Sequence, residues 1–180
     1  MGTTESNPTR KHIRVLWHEY DEGFYFITIC TKDKSHHFGK IYNGIMHLST
    51  IGEIADYGIK MMPTHYRDVT IQQYMVMPNH IHIIIKIGNP ILLPQNFPRN
   101  TYNAAKAMTK QRHTTALSRA ITAYKIYVTR NAHKVNPQFN WQTRYHDHII
   151  RNIEEYENIA NYVITNPMNW NKDCYYIQCK

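Results

Sequence analysis

Apolar residues alternate with polar ones, or form short β-branched and aromatic runs, at four places along the chain, which predicts four β-strands. The third run follows the second across the dipeptide Pro78-Asn79, so these two are predicted to form a hairpin. Gly39 and Gly44 separate short apolar pieces and predict a smaller hairpin within residues 32–48. The four predicted strands are residues 24–30, 69–77, 80–87 and 139–146.

Three other segments have the apolar spacing of amphipathic helices. Ser49 or Thr50 is suited to cap the first of them, with Glu53 in its first turn. Pro63 is predicted to end the first helix, and Pro167 the last. The predicted helices are residues 49–62, 115–131 and 153–165.

The order β-α-β-β-α-β, followed by a further helix, is typical of the ferredoxin-like split-βαβ arrangement. The predicted fold class is α+β, with a four-stranded antiparallel sheet, helices on one face and an added C-terminal helix. The other face is expected to be open and able to carry a site. The predicted organisation is a basic arm (1–19), one domain (20–170) with a long mobile loop (88–112), and a tail (171–180).

The charge balance adds a polyanionic partner to this picture. The 21 Lys and Arg outnumber the 13 Asp and Glu, so the formal net charge is +8. Such a surplus favours nucleic acid or an acidic membrane surface. The 14 Tyr and 3 Trp supply rings that stack on unpaired bases, although most of these rings are expected to be ordinary strand and core residues.

The cysteines and the apolar runs indicate where the protein resides. The three cysteines have no metal-type pair spacing, and their odd number indicates a reducing compartment without a disulfide framework. The first residues contain no apolar signal-peptide region. The apolar run at residues 81–87 is too short to span a membrane. We therefore expect a cytoplasmic, nucleoid-associated protein.

The predicted third strand is the most informative segment. Because side chains alternate along a strand, His80, His82, Ile84 and Lys86 share one face, and the intervening isoleucines form the core-facing side. Two imidazoles at this spacing can bind one metal ion. Histidine pairs also occur on solvated strands without a catalytic role, so the pair alone does not establish a site.

The last helix carries Tyr162 and Asn166 four residues apart, on one flank of its apolar arc. A phenol at that edge can attack a phosphate that a metal polarises, and the amide oxygen of Asn166 can be a third ligand. The alternative is a half-buried structural tyrosine with its hydroxyl in water. The predicted arc is Ile153, Tyr156, Ala160, Val163 and Ile164.

Together these segments resemble the single-tyrosine HUH transposases, whose motif is histidine, a hydrophobic residue and histidine. The segment Met77-Pro78-Asn79-His80-Ile81-His82 resembles that motif, residues 162–167 resemble the nucleophile helix, and residues 141–152 resemble the segment before it. The most similar branch is the REP-associated tyrosine transposases. The resemblance covers about residues 20–170, nearly the whole chain.

The resemblance implies a ferredoxin-like HUH domain that acts on single-stranded DNA flanked by an imperfect hairpin. His80 and His82 would hold Mg²⁺ or Mn²⁺, with Asn166 as the third ligand. Tyr162 would attack the scissile phosphate and leave a 5′-phosphotyrosine and a free 3′-OH. A second 3′-OH would then reverse the step, so this endonuclease and strand transferase needs no nucleotide cofactor.

Several further residues have two interpretations each. His146, Asp147 and His148 are additional candidate ligands near the start of the last helix, where Asp147 could instead cap the helix and His148 could face water. Basic residues are predicted phosphate contacts, with a solvated basic face as the alternative. They are Lys86, Arg119, Lys125, Arg130, Arg144 and Arg151.

Two other functions and one question of assembly stay open. A histidine-triad nucleotide hydrolase needs a third histidine where this chain has Ile84. A non-catalytic HUH-like module that binds hairpin DNA or RNA fits the charge equally well, but has no need of His80, His82 and Tyr162. Tyr162 could serve the cation of its own subunit or of a partner, and a monomer is favoured over a homodimer.

Overall fold

The computed structural model describes residues 22–89 and 115–176, which form a four-stranded antiparallel sheet, a separate hairpin and three α-helices. The main sheet has the strand order β4-β5-β1-β6, and β2 pairs only with β3. The predicted α+β fold is confirmed. The elements are β1 (Gly23–Cys30), β2 (Gly39–Tyr42), β3 (Ile45–Leu48), α1 (Thr50–His65), β4 (Val69–Val76), β5 (His80–Ile87), α2 (Ala116–Ala132), β6 (His146–Ile150) and α3 (Ile153–Thr165).

Parts of the predicted organisation lie outside the described residues. These parts are the arm at 1–19, most of the loop at 88–112 and the last residues of the tail at 171–180. Within the described ranges, no helix combines the length and apolar character needed to cross a bilayer.

The two faces of the main sheet are covered by different elements. Ile81, Ile83, Ile85 and Ile87 are fully buried in the core that α1 and α2 share, as their alternation predicts. On the opposite face, α3 packs against β5 through Val163 and Ile84. That face is therefore not open, because α3 returns across it.

Local sequence explains where α1 begins, and its end differs from the prediction. The Ser49 hydroxyl accepts a hydrogen bond from the Gly52 N–H at 3.1 Å, as expected of an N-cap. The helix runs past Pro63 to His65. Its last turn is held because Met62 is buried in the core and the Met62 carbonyl accepts from the Tyr66 N–H at 3.2 Å.

The predicted fourth strand at residues 139–146 is wrong, since β6 begins at His146. Phe139 is fully buried, and Trp141 forms an isolated bridge with Thr31. Aromatic residues pack equally well in a buried loop, so their presence does not by itself identify a strand.

The chain does not leave the domain after α3. It continues as a 3-10 helix at Asn166–Lys172, with Pro167 at its start. Proline suits that position because its fixed φ matches a helical first turn and its missing N–H is not needed there. These residues lead the chain back to the sheet face that carries the histidines.

Candidate metal and tyrosine site

His80 and His82 begin β5 and are both buried, at 0% and 1% exposure. They share a face of the strand, and their Nε2 atoms lie 3.0 Å apart. A tight turn fixes the start of the strand, since the Met77 N–H donates to the His80 carbonyl at 2.9 Å. The two imidazoles therefore converge on one point under α3.

Both rings are oriented by neighbouring polar side chains. The Asn79 Oδ1 lies 2.9 Å from the His80 Nδ1, and the Thr28 hydroxyl lies 2.9 Å from the His82 Nδ1. Since a carbonyl oxygen only accepts, His80 carries its proton on Nδ1, and its unprotonated Nε2 has a lone pair that can bind a metal. The Thr28 hydroxyl can donate to His82 or accept from it, so it supports either tautomer of that ring.

Burial also sets the charge of this pair. Loss of hydration and, to a lesser extent, the positive charge of Lys34 together lower the pKa of His80 to about 3. Burial and the neighbouring His80 place the pKa of His82 well below its usual value. Both rings are therefore neutral at neutral pH, which is the form that binds a metal.

The Tyr162 hydroxyl reaches this pair from α3. The residue is 41% exposed, but its hydroxyl lies 3.3 Å from the His82 Nε2 and donates to the Asp173 Oδ2 at 3.2 Å. The Tyr162 ring packs edge-on against Phe26 of β1, with 6.1 Å between the centroids. Burial and the Asp173 carboxylate raise the pKa of Tyr162 above its usual range, so the phenol is protonated.

The structure adds Asp173 to the two histidines, a residue that the sequence did not predict at the site. Its side chain is 1% exposed, and one of its oxygens and one nitrogen of each histidine all lie within 4.8 Å of one another. The sequence did carry one signal, because Asp173 is the only acidic residue after Glu157. Its position in a predicted tail obscured that signal.

Asn166 hydrogen-bonds to this carboxylate. Its Nδ2 donates to the Asp173 Oδ2 at 2.7 Å, while its Oδ1 is buried without a hydrogen-bond partner. A buried acceptor without a partner is costly and calls for an explanation, such as an ion. Two neutral imidazoles, a carboxylate and an unused amide oxygen form a donor set that fits a divalent cation.

Residues of the 3-10 helix and of the segment after it cover the histidines. The Tyr175 ring lies 4.5 Å from the His80 ring between centroids, and the Trp170 ring lies 5.9 Å from it. The Asn79 Nδ2 donates to the Tyr175 carbonyl at 2.9 Å, which anchors this part of the chain. Asp173 and Tyr175, both in the predicted tail, thus lie beside the histidines.

The histidines and aspartate before α3 have a different arrangement from the one predicted. His146 and Asp147 lie in β6, which pairs with β1, and are not part of the first turn of the last helix. Asn152 caps α3 instead of Asp147, because its side chain accepts from the Glu155 N–H. His148 lies 2.7 Å from a Glu155 oxygen, away from the cluster of His80, His82 and Asp173.

The predicted phosphate contacts are spread over the domain. Arg119, Lys125 and Arg130 belong to α2, on the opposite side of the sheet from the histidines. The Lys125 ammonium donates to the carbonyls of Gln142 and Thr143, so it joins α2 to the following loop.

The other three predicted cations lie outside that helix. Arg144 is exposed in the loop before β6, and Arg151 lies 4.0 Å from Glu155. Lys86 shares the histidine face of β5 and donates to Asn89.

Comparison with known proteins places the chain in a family and confirms its fold. No family model matches the chain. An uncharacterized protein of Haemophilus influenzae is 34% identical over 170 residues, which cover 93% of each chain. The structure of a REP-associated tyrosine transposase bound to a REP hairpin has a TM-score of 0.55 at 18% identity, over 85% of this chain and 71% of that one. This second likeness establishes the shared fold.

Proposed function

Because the chain belongs to one family with the Haemophilus influenzae protein and has the fold of a REP-associated tyrosine transposase, we propose that it is a metal-dependent, single-strand DNA endonuclease and strand transferase. The observation that carries the proposal is one distance. The Tyr162 hydroxyl lies 3.3 Å from the His82 Nε2 within a single chain, beside the cluster of His80, His82 and Asp173. The tyrosine and the metal-binding residues of one subunit can therefore act together at one site.

The cluster would hold Mg²⁺ or Mn²⁺, and mixed nitrogen and oxygen donors suit Mn²⁺ better than Mg²⁺. His80, His82 and Asp173 would supply direct ligands. Asn166 would either add its Oδ1 or hold Asp173 in place through its Nδ2. The bound cation would neutralise charge that develops on the scissile phosphate.

Tyr162 would perform the covalent step. Its Oη attacks the phosphorus and the bond from phosphorus to the 3′ oxygen breaks, which leaves a 5′-phosphotyrosine. The departing 3′ oxygen takes up a proton from solvent and becomes a 3′-OH. The phenolic proton passes to the Asp173 Oδ2, which already accepts a hydrogen bond from it at 3.2 Å. A second 3′-OH reverses the step, so the covalent bond conserves the energy of the broken one.

The proposed substrate is single-stranded DNA that bears a hairpin. The net charge of +8 favours a polyanion, and a REP hairpin is bound to the transposase that shares this fold. In the structure described here, the histidine rings are buried beneath residues 170–175. A phosphate can reach them only after those residues shift.

The test is formation of a covalent adduct. With Mn²⁺ and a labelled hairpin-bearing oligonucleotide, we expect a protein–DNA adduct that survives SDS. Tyr162→Phe should abolish the adduct and leave binding nearly unchanged, because only a hydroxyl is lost, and His80→Ala should abolish it too. Tyr156→Phe is the matched control on the same helix and should still form it. DNA binding without any adduct from the unaltered protein would favour a non-catalytic binding module.

A further inference from the structure

The β2–β3 hairpin has an exposed face that the proposed reaction does not use. Its inner face packs Met46 and Leu48 against the core. On its outer face, Tyr42 and Ile45 stand directly opposite each other and are 59% and 63% exposed. A solvated strand face normally carries polar residues, so the folding of the domain does not account for this pair.

A lysine and a histidine lie beside that pair. Lys40 is directly opposite His47 on the same outer face, and the Tyr42 and His47 rings lie 5.7 Å apart between centroids. No acidic residue occurs between His36 and Ser49. The face thus combines an aromatic ring, an aliphatic side chain and a cation without a carboxylate from its own segment.

This face continues toward the cluster of His80, His82 and Asp173. The hairpin turns through Asn43 and Gly44, both with positive φ (51° and 74°), which is the geometry of a tight two-residue turn. A Cβ built on Gly44 would lie 3.1 Å from the Cγ of Met168, so the turn lies against the 3-10 helix. Met168 is itself 66% exposed.

That 3-10 helix lies between Tyr162 and Asp173 along the chain. It therefore connects the hairpin turn at Gly44 to both of these residues. No acidic residue occurs from Asn158 to Lys172, so the connection is also free of carboxylates along its length. We define the hairpin platform as Lys40, Tyr42, Ile45, His47 and Met168.

We propose that the hairpin platform binds unpaired bases of the DNA strand that leads to Tyr162. The inference rests on the proposed function. An exposed ring beside a cation, in a segment without acidic residues, matches the chemistry of single-stranded nucleic acid, whose bases offer free π-faces and whose backbone is anionic. An apolar protein partner or a second copy of this chain gives no reason for Lys40 without an acidic residue in the same segment. Duplex DNA has its bases already stacked on one another.

The experiment measures binding separately from cleavage. The Tyr162→Phe protein, which retains the whole platform, is titrated against a fluorescent single-stranded oligonucleotide and against the same sequence as a blunt duplex. Adding Tyr42→Ala should weaken single-strand binding on the order of ten-fold, and duplex binding by less than two-fold. Tyr42→Phe should keep most of the affinity, because the ring remains.

An exposed tyrosine of α1 provides a matched control for Tyr42. Tyr57 of α1 is 53% exposed and its ring lies 6.4 Å from that of Tyr127, between centroids. Tyr57→Ala should leave single-strand binding unchanged. If Tyr42→Ala binds like the parent protein, or if both variants weaken binding equally, the platform is refuted. A change of sedimentation with Tyr42→Ala, without a change in DNA affinity, would instead identify a contact between copies.

The platform and the proposed function fail in different ways. If no adduct forms with any DNA, while Tyr42→Ala still weakens single-strand binding selectively, the catalytic proposal fails and the platform stands. If, at limiting DNA, the unaltered protein and the Tyr42→Ala protein form the adduct equally well, the catalytic proposal stands and the platform fails.

Discussion

Replacing Thr28 by valine tests the idea that the residues around the histidines prepare them for a cation. Valine has nearly the same shape as threonine, so the change removes the hydroxyl that lies 2.9 Å from the His82 Nδ1 and little else. We expect the Thr28→Val protein to fold, to lose some stability and to bind Mn²⁺ more weakly.

The two losses have separate physical origins. The His82 ring is 1% exposed, so its Nδ1 cannot turn to water, and a buried polar atom without a partner costs about 1–3 kcal/mol. When the His82 Nε2 binds a cation, the ring proton moves to Nδ1, which then has no acceptor. Loss of such an outer partner typically weakens metal binding by about 10- to 100-fold.

Mn²⁺ affinity is measured by electron paramagnetic resonance of the free ion, and stability by urea unfolding without metal. Thr28→Ser keeps the hydroxyl and should restore most of the affinity. Thr31→Val is the matched control, because Thr31 is also buried and its one hydroxyl proton is shared between the carbonyl oxygens of Ser35 and Asn79, at 2.8 and 2.9 Å. It should lose stability but bind Mn²⁺ nearly normally.

Unaltered Mn²⁺ affinity in Thr28→Val would refute this account of His82. An equal loss of affinity in Thr28→Val and Thr31→Val would refute it as well, since general loosening of β1 would then explain both results.

Two further predictions concern the charges of the same cluster. Asp173→Asn removes the carboxylate that lies 4.0 Å from the His80 Nε2; we expect Mn²⁺ affinity measured by the same resonance method to fall by at least about 10-fold, and unchanged affinity would exclude Asp173 as a ligand. The metal-free protein should lose stability in mild acid, because His80 has a pKa of about 3 in the folded state and 6.5 as its reference value. The unfolded chain therefore takes up protons first, and this stability is present above about pH 6.5 and is lost as the pH falls toward 3. Between pH 7 and pH 5 one such histidine contributes a loss of about 2 kcal/mol, which urea unfolding at the two pH values measures. His82→Asn should reduce the loss, exposed His47→Asn should not, and a pH-independent unfolding midpoint would contradict the burial of the pair.

The sequence was sufficient for several features that local geometry decides. The bounds of β5 and α3 and the division of β5 into an isoleucine face and a histidine face were predictable. The cap at Ser49 was one of the two candidates, beside Thr50. They depend on the two-residue period of strands, the 3.6-residue period of helices and hydrogen bonds between near neighbours, which residues close in sequence determine by themselves.

Helical period alone did not decide which side of α3 is buried. The predicted arc correctly contains Val163, but Ile153 and Ile164 are 44% and 51% exposed. Ile159 packs against the sheet in their place. A narrow sheet face beneath α3 covers only part of the arc, so which apolar residues are covered depends on how the helix is laid across the strands.

Only the tertiary structure decided what lies above the histidines. The return of α3 and residues 166–176 across the sheet buries both rings and brings Asp173 to them from the far end of the chain. Nothing in the spacing around Asp173 predicts that contact, because it depends on the path of the whole chain. The chemistry of the pair could thus be inferred from β5 alone, whereas its burial, its neutral charge and its carboxylate partner follow from packing.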